Sequence, residues 1–258
     1  MKKLIISLFV GAMCLSSCNT DKQEESAPES LTQYVNPLIG TAHCRWFHFT
    51  PGALPFGMAK PAAATNASVG NKSGWEATGY DYRDTSIEGF PCLHEFQVGG
   101  IVLMPTTGVL KTVPGAVNSK GEGYRSEFSH EEEVAQPGYY SVWLKDYRIK
   151  AELTATERVA YQRFTFPSGL DSHILFDIGN RQGESGAAVD AEVNIVDANT
   201  VEGWVRTAPE YCKKYQKGAT ITMYFSARMD KAAASCGTFV REKISEGKKT
   251  VRGVGAGA

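Results

Sequence analysis

The sequence predicts an all-β protein, a large antiparallel β-sandwich with long loops, behind an N-terminal leader. Three observations carry this. From Tyr139 onward, short segments alternate apolar and polar residues with a period of two, the pattern of a half-buried strand. Gly, Pro and Asp-rich breaks separate them at short spacing, as in sandwiches and barrels. Helical periodicity is weak outside the leader.

The leader comes first in the chain. "MKKLIISLFVGAMCLSSC" opens with Lys2 and Lys3, then runs apolar from Leu4 to Leu15. That run is too short for a stable bilayer span and fits the apolar region of a signal peptide. Leu15-Ser16-Ser17-Cys18 resembles a bacterial lipobox, in which the Cys thiol accepts the diacylglycerol and becomes the mature N-terminus. Residues 1–17 therefore read as a lipoprotein signal peptide and Cys18 as the lipidation site. Residues 18–31, polar, acidic and Pro-containing, read as a disordered tether. The implied location is the cell envelope of a Gram-negative bacterium, lipid-anchored at the outer membrane on its surface or periplasmic face.

Residues 32–258 form the predicted β domain. Its first part, 34–110, is rich in Gly, Pro, His and aromatic residues and has few long alternating runs. Loops of this composition carry function more often than strands do. Then come the strands. "YYSVWLKD" sets Tyr140, Val142 and Leu144 on one face, and "RIKAELTAT" does the same with Ile149, Ala151, Leu153 and Ala155. "RVAYQRFTFP" (158–167), "SHILFDIG" (172–179), "AEVNIVDA" (191–198), "TVEGWVRT" (200–207), "ATITMYFSAR" (219–228) and "GTFVRE" (237–242) follow. The chain stops at "VRGVGAGA", where another strand is expected; on this reading it is a C-terminally incomplete piece with an apolar face normally covered.

Composition narrows the partners. The 258 residues carry 27 basic and 28 acidic side chains, a formal charge of −1, with no basic stripe, so nucleic-acid binding is not expected. The six cysteines (14, 18, 44, 92, 212 and 236) include no CxxC pair, which argues against a zinc site. Cys44 and Cys92 read as structural.

Several motifs in order carry a family resemblance. "YVNPLIGT" (34–41), "TPGALPFGM" (50–58), "GWEATGYDYRDTSIEGF" (74–90), "PTTG" (105–108), "GYYSVWLKDYRIKAELTATERVAYQRFTFP" (138–167) and "HILFDIGN" (173–180) resemble the N-terminal domain of glycoside hydrolase family 92. Its members are secreted, calcium-dependent, inverting exo-α-mannosidases. The resemblance implies that a helical barrel follows in sequence and supplies the general acid, the base and the calcium ligands. This chain alone would then hold no catalytic carboxylate and no metal. It would contribute loops that face mannose-containing glycans or a related carbohydrate. The sequence departs from the family at "GFPCLHEFQVGG" (89–100), where a Ser/His/Thr/Gly-rich run is usual, and at "TAHCRWFHFT" (41–50). Both changes touch loops near the implied pocket and put mannose specificity in doubt.

Candidate site residues cluster in "GWEATGYDYRDTSIEGFPCLHEF" (74–96), which holds five carboxylates between glycines. Trp75 offers an indole face that can stack on a pyranose, or it is a core ring under a loop. Glu76 can accept two sugar hydroxyls, or it is a solvated acid. Tyr80 and Tyr82 share a face if the segment is extended, with one phenol at a pocket rim and at least one ring filling core. His48 and His94 are hydrogen-bonding candidates, and Glu95 adjoins His94. Asp84, before Thr85 and Ser86, suits a turn that bonds nearby backbone N–H groups. An inverting glycosidase needs two carboxyls about 6.5–9.5 Å apart; Glu76 with Glu95, or Asp84 with Glu88, are the pairs to consider, but such acids more often cap turns or face water. Two other readings stay open: a non-enzymatic, membrane-anchored glycan-binding β-sandwich lipoprotein, and a sandwich-fold sugar epimerase.

Overall fold

The computed structural model describes residues 30–42, 49–66, 79–94, 99–117, 121–179 and 186–258. It is all-β and antiparallel. The first strands are β1 (Ser86–Ile87), β2 (Phe90–His94), β3 (Gly99–Thr107), β4 (Ser126–Glu127) and β5 (Val134–Gln136). Next are β6 (Tyr139–Leu144), β7 (Ile149–Ala155), β8 (Ala160–Thr165), β9 (Ser172–Asp177), β10 (Ala188–Ile195) and β11 (Thr200–Thr207). The last are β12 (Ile221–Arg228), β13 (Gly237–Val240), β14 (Lys243–Glu246), β15 (Thr250–Arg252) and β16 (Ala256–Gly257). One short helix, α1 (Glu210–Tyr215), interrupts the pattern between β11 and β12. Among the described residues no helix is long and apolar enough to cross a membrane. The leader, Cys18 and the tether through residue 29 lie outside the described residues; Leu31, the tether's last residue, opens a short 3-10 helix, Leu31–Tyr34.

The strands form a four-stranded sheet β5-β6-β7-β8, a six-stranded sheet β14-β13-β16-β9-β3-β2, a four-stranded sheet β12-β11-β10-β15 and the small pair β1-β4. The alternation read from sequence sets which face goes inside. Tyr140, Val142 and Leu144 of β6, with Ile149, Ala151 and Leu153 of β7, are all buried. Hairpin β5-β6 closes through Pro137-Gly138, where Gly138 takes φ 81°, a conformation that a side chain disfavours.

The six-stranded sheet is covered on both faces. Met104 of β3, Leu175 of β9 and Phe239 of β13 enter one buried cluster with the β6 and β7 residues. Their chain neighbours Leu103, Ile174, Phe176 and Val240 enter a second cluster with Val193, Val201, Val205 and Met223 of β10–β12. Opposite parity on the same strand puts the two sets on opposite faces. Met104 and Leu175 lie directly across from one another, as do Leu103 and Phe176.

The structure differs from the sequence expectation in the first half. The loop-rich stretch contains β3, nine residues long, which sits between β9 and the edge strand β2 of the six-stranded sheet. A strand buried on both faces shows a continuous apolar run rather than alternation, and "GGIVLMPTT" hides that run behind two glycines and Pro105.

Candidate functional site

The segment from Gly79 to His94 is pinned by a local network of polar bonds. Thr65 and Asn66 donate backbone N–H to the Gly79 carbonyl, at 2.7 and 3.1 Å. The Thr65 hydroxyl accepts from Asp81 N at 2.9 Å and donates to Asp84 Oδ2 at 2.7 Å. Asp81 Oδ1 accepts from Arg83 N at 2.9 Å, and both Asp81 carboxylate oxygens accept from the Arg83 guanidinium. Asp81, not Asp84, therefore makes the carboxylate-to-backbone turn. Asp84 is spent on the Thr65 hydroxyl, and burial raises its carboxyl above the usual range against that bond's lowering effect. Because Tyr82 and Arg83 sit in this turn, Tyr80 and Tyr82 do not share one face of an extended strand.

Tyr80 goes inward. It is buried, its ring stacks on Phe49 at a centroid distance of 3.9 Å, and its hydroxyl donates to Glu133 Oε1 at 2.8 Å. Tyr140, fully buried on β6, donates its hydroxyl to the same oxygen at 2.7 Å. Burial pushes both phenols well above their usual pKa, and the Glu133 charge adds to it. The Glu133 side chain itself has no solvent exposure, and its other oxygen meets His130 Nδ1 at 2.5 Å. Ser129 caps the single turn (His130–Glu132) that aims His130 here.

Tyr82 goes outward. It is 39% exposed, and its ring stacks on the His130 ring at 3.9 Å. The Tyr82 carbonyl faces His130 Nε2 at 2.7 Å. Both imidazole nitrogens thus lie within hydrogen-bond distance of an oxygen, which fixes the ring on both edges. This clamp holds an exposed phenol in place.

Glu88 is not a solvated acid. It is fully buried and pairs with Arg125 Nη1 at 2.8 Å. Arg125 also donates to Ser86 Oγ at 3.1 Å and to the Thr65 carbonyl. A charge enclosed in this way cannot reach a substrate water, so Asp84 and Glu88 do not form an acid–base pair. Cys92 is structural as expected: burial raises its thiol to about 12, and Gln162 donates to it at 3.4 Å.

His94 closes β2, paired with Gly99. Its side chain, with Trp75, Glu76, His48 and Glu95, lies outside the described residues. Near it, Ile101 takes φ 59°, unusual for a β-branched residue, close to the start of β3. Phe56, in "TPGALPFGM", takes φ 62° and is fully exposed between the exposed Leu54 and Met58. Among the described residues no group of three or more His, Cys, Asp or Glu side chains could hold a metal ion.

Sequence reasoning missed His130, Glu133 and Arg125. The "SHEEE" run (129–133) carried a weak cue, a Ser three residues ahead of a Glu. Their convergence on residues 65–88 comes from tertiary contacts that no local pattern encodes.

Residues 34–258 match the Glycosyl hydrolase family 92 N-terminal domain. The chain belongs to glycosyl hydrolase family 92. Its fold is similar to that of a family GH92 alpha-mannosidase from Bacteroides thetaiotaomicron, with a TM-score of 0.77 and 26% identity over 90% of this chain and 31% of that one. The complex of that mannosidase with mannoimidazole gives 0.77 and 27%, over 89% and 30%. A family GH92 inverting mannosidase from Bacteroides thetaiotaomicron VPI-5482 is similar in fold alone, with a TM-score of 0.68 and 21% identity over 90% and 29%. The chain thus spans under a third of the length of these solved relatives. No curated protein matches it.

Proposed function

We propose that this chain is the substrate-facing, N-terminal β-sandwich part of a secreted, calcium-dependent, inverting α-mannosidase-like glycoside hydrolase acting on mannose-containing glycans. The match of residues 34–258 to the family's N-terminal domain carries the reading. The mannoimidazole complex of a relative at 27% identity supports the mannose-like ligand.

In this reading the chain binds and orients, while the acid, the base and the calcium ligands belong to a helical domain outside it. Tyr82 lines the rim, held by His130. Tyr80 positions the loop from below through Glu133 rather than touching sugar. Trp75, Glu76, His48, His94 and Glu95 complete the proposed wall. The anchor is Cys18, which would hold the protein to the outer membrane by acyl chains.

The test is turnover of 4-nitrophenyl α-mannoside. The 258-residue chain should give none. A form extended in frame past Ala258 should hydrolyse it, lose activity to a calcium chelator, and release the β-anomer first by proton NMR. Hydrolysis by the 258-residue chain, or chelator-insensitive turnover by the longer form, would overturn the assignment. Labelled palmitate in wild type but not in Cys18→Ala, expressed in a Gram-negative host, checks the anchor.

A further inference from the structure

The outer face of the β10-β11-β12-β15 sheet carries rings where solvent-facing polar residues are usual. Strand register sets one row across it: Arg252 opposite Glu192, Glu192 opposite Trp204, Trp204 opposite Tyr224. The residues next to this row, Val193, Val205 and Met223, are buried against the six-stranded sheet, so the row points away from the core. Tyr224 is 77% exposed. Directly paired strands hold their Cβ atoms about 5 Å apart, so the indole and the phenol spring from adjacent positions of an aromatic strip, the indole reaching across Glu192 toward Arg252.

The strip is braced. The Arg252 guanidinium lies 5.3 Å from the Trp204 ring centroid and is anchored by Asp190 at 2.7 Å. Beside it runs a polar row. Asn194 donates to Glu192 at 3.2 Å, and Ser226 donates to Glu202 Oε1 at 3.0 Å. These bonds fix Asn194 and Glu202 while leaving the Asn194 carbonyl and Glu202 Oε2 available as acceptors. Strip and row border a shallow, open depression lined by Asn194, Glu202, Trp204, Tyr224 and Ser226 among others.

We propose that this face binds a neutral glycan, one pyranose stacking on Trp204 and Tyr224 while its hydroxyls bond Glu202 and Asn194. A sugar ring offers an apolar C–H face and an edge of hydroxyls, which is the complement of a ring strip beside fixed acceptors. Charge favours a neutral ligand: Glu192, Glu202 and Asp190 balance Arg206, Arg228 and Arg252, so no net cationic field gathers phosphates. The inference uses family membership but does not depend on the loop wall at 74–96.

Affinity electrophoresis of the 258-residue chain through gels containing yeast α-mannan, dextran or laminarin tests it. At least one polysaccharide should retard the wild type. Tyr224→Ala should weaken that retardation by about tenfold, and Trp204→Ala/Tyr224→Ala should abolish it. Glu202→Gln should weaken it by several-fold. Tyr224 is exposed enough that its single variant reads the site even if the double variant does not fold. No retardation by any of the three overturns the proposal. So does wild-type retardation in a folded Tyr224→Ala protein. Retardation lost in Trp75→Ala but kept in Tyr224→Ala also overturns it, and supports the loop wall instead. Self-association lost in Tyr224→Ala, without glycan retardation, would assign the strip to contact between copies.

Discussion

Replacing Glu133 by alanine should unfasten the tyrosine clamp under the loop at 80–84. In the native protein one enclosed carboxylate accepts from Tyr80, Tyr140 and His130. The alanine variant leaves two buried phenol hydroxyls with this acceptor gone. Each such loss costs about 1–3 kcal/mol, so the sum is about 4 kcal/mol. For a domain of this size that corresponds to a melting-temperature drop of about 8–16 °C. Glu133→Gln should cost far less, about 1 kcal/mol. Its amide oxygen can keep both phenols, and its NH2 can donate to a neutral His130 ring that still donates through Nε2 to Tyr82. Urea unfolding followed by tryptophan fluorescence gives both values. A cycle with Tyr140→Phe should show a coupling energy of about 1.5 kcal/mol, because the two groups share one bond. Coupling below about 0.3 kcal/mol, or an alanine variant melting within about 2 °C of wild type, would refute the clamp.

Three further outcomes follow from the same contacts. Arg163 first, then Tyr139, bonds Glu152 and lowers its carboxyl to about 2. That stabilisation is complete above the unfolded value of 4.5 and is lost as pH falls toward about 2, so Glu152→Gln should flatten the acid limb of a melting-temperature profile. Solvent screening limits the effect to about 1 kcal/mol. At the alkaline end, burial holds the Tyr80, Tyr124 and Tyr140 phenols above 10.0, so their contribution is whole below that pH and declines as pH rises beyond it. Absorbance at about 295 nm should show these phenols ionising only with unfolding. Gly203→Ala should cost about 1–3 kcal/mol, because a Cβ there would sit 2.2 Å from the Glu192 carbonyl oxygen. Urea midpoints equal to wild type would mean that β10 and β11 separate freely.

Legibility in the sequence followed how local each signal is. The downstream strands declare themselves because one face of each is buried: β11 begins and ends where alternation placed it, at Thr200 and Thr207. β3 does not, because both its faces are covered and alternation vanishes. At the candidate site, ring-and-carboxylate composition singled out a segment but not the contacts within it. Asp81 makes the turn expected of Asp84, because Thr65 reaches across from another segment and takes the Asp84 carboxylate. Glu88 looks like a surface acid until Arg125 arrives from 37 residues away. The family motifs were readable as words in order, whereas the clamp on Tyr80 and Tyr82 needed the fold.

The shared six-stranded sheet has a consequence for how the domain comes apart. Because β9 and β3 lend alternate side chains to both clusters, neither cluster can lose its order while the other stays whole. Loss of β10–β12 would strip Ile174 and Phe176 of their cover while Leu175, between them, stayed clasped on the opposite side. Residues 32–258 should therefore behave as a single cooperative unit, with one unfolding transition by every probe. Cutting the domain at 186, between β9 and β10, would yield two halves that do not fold separately, although the cut falls in a connection rather than a strand.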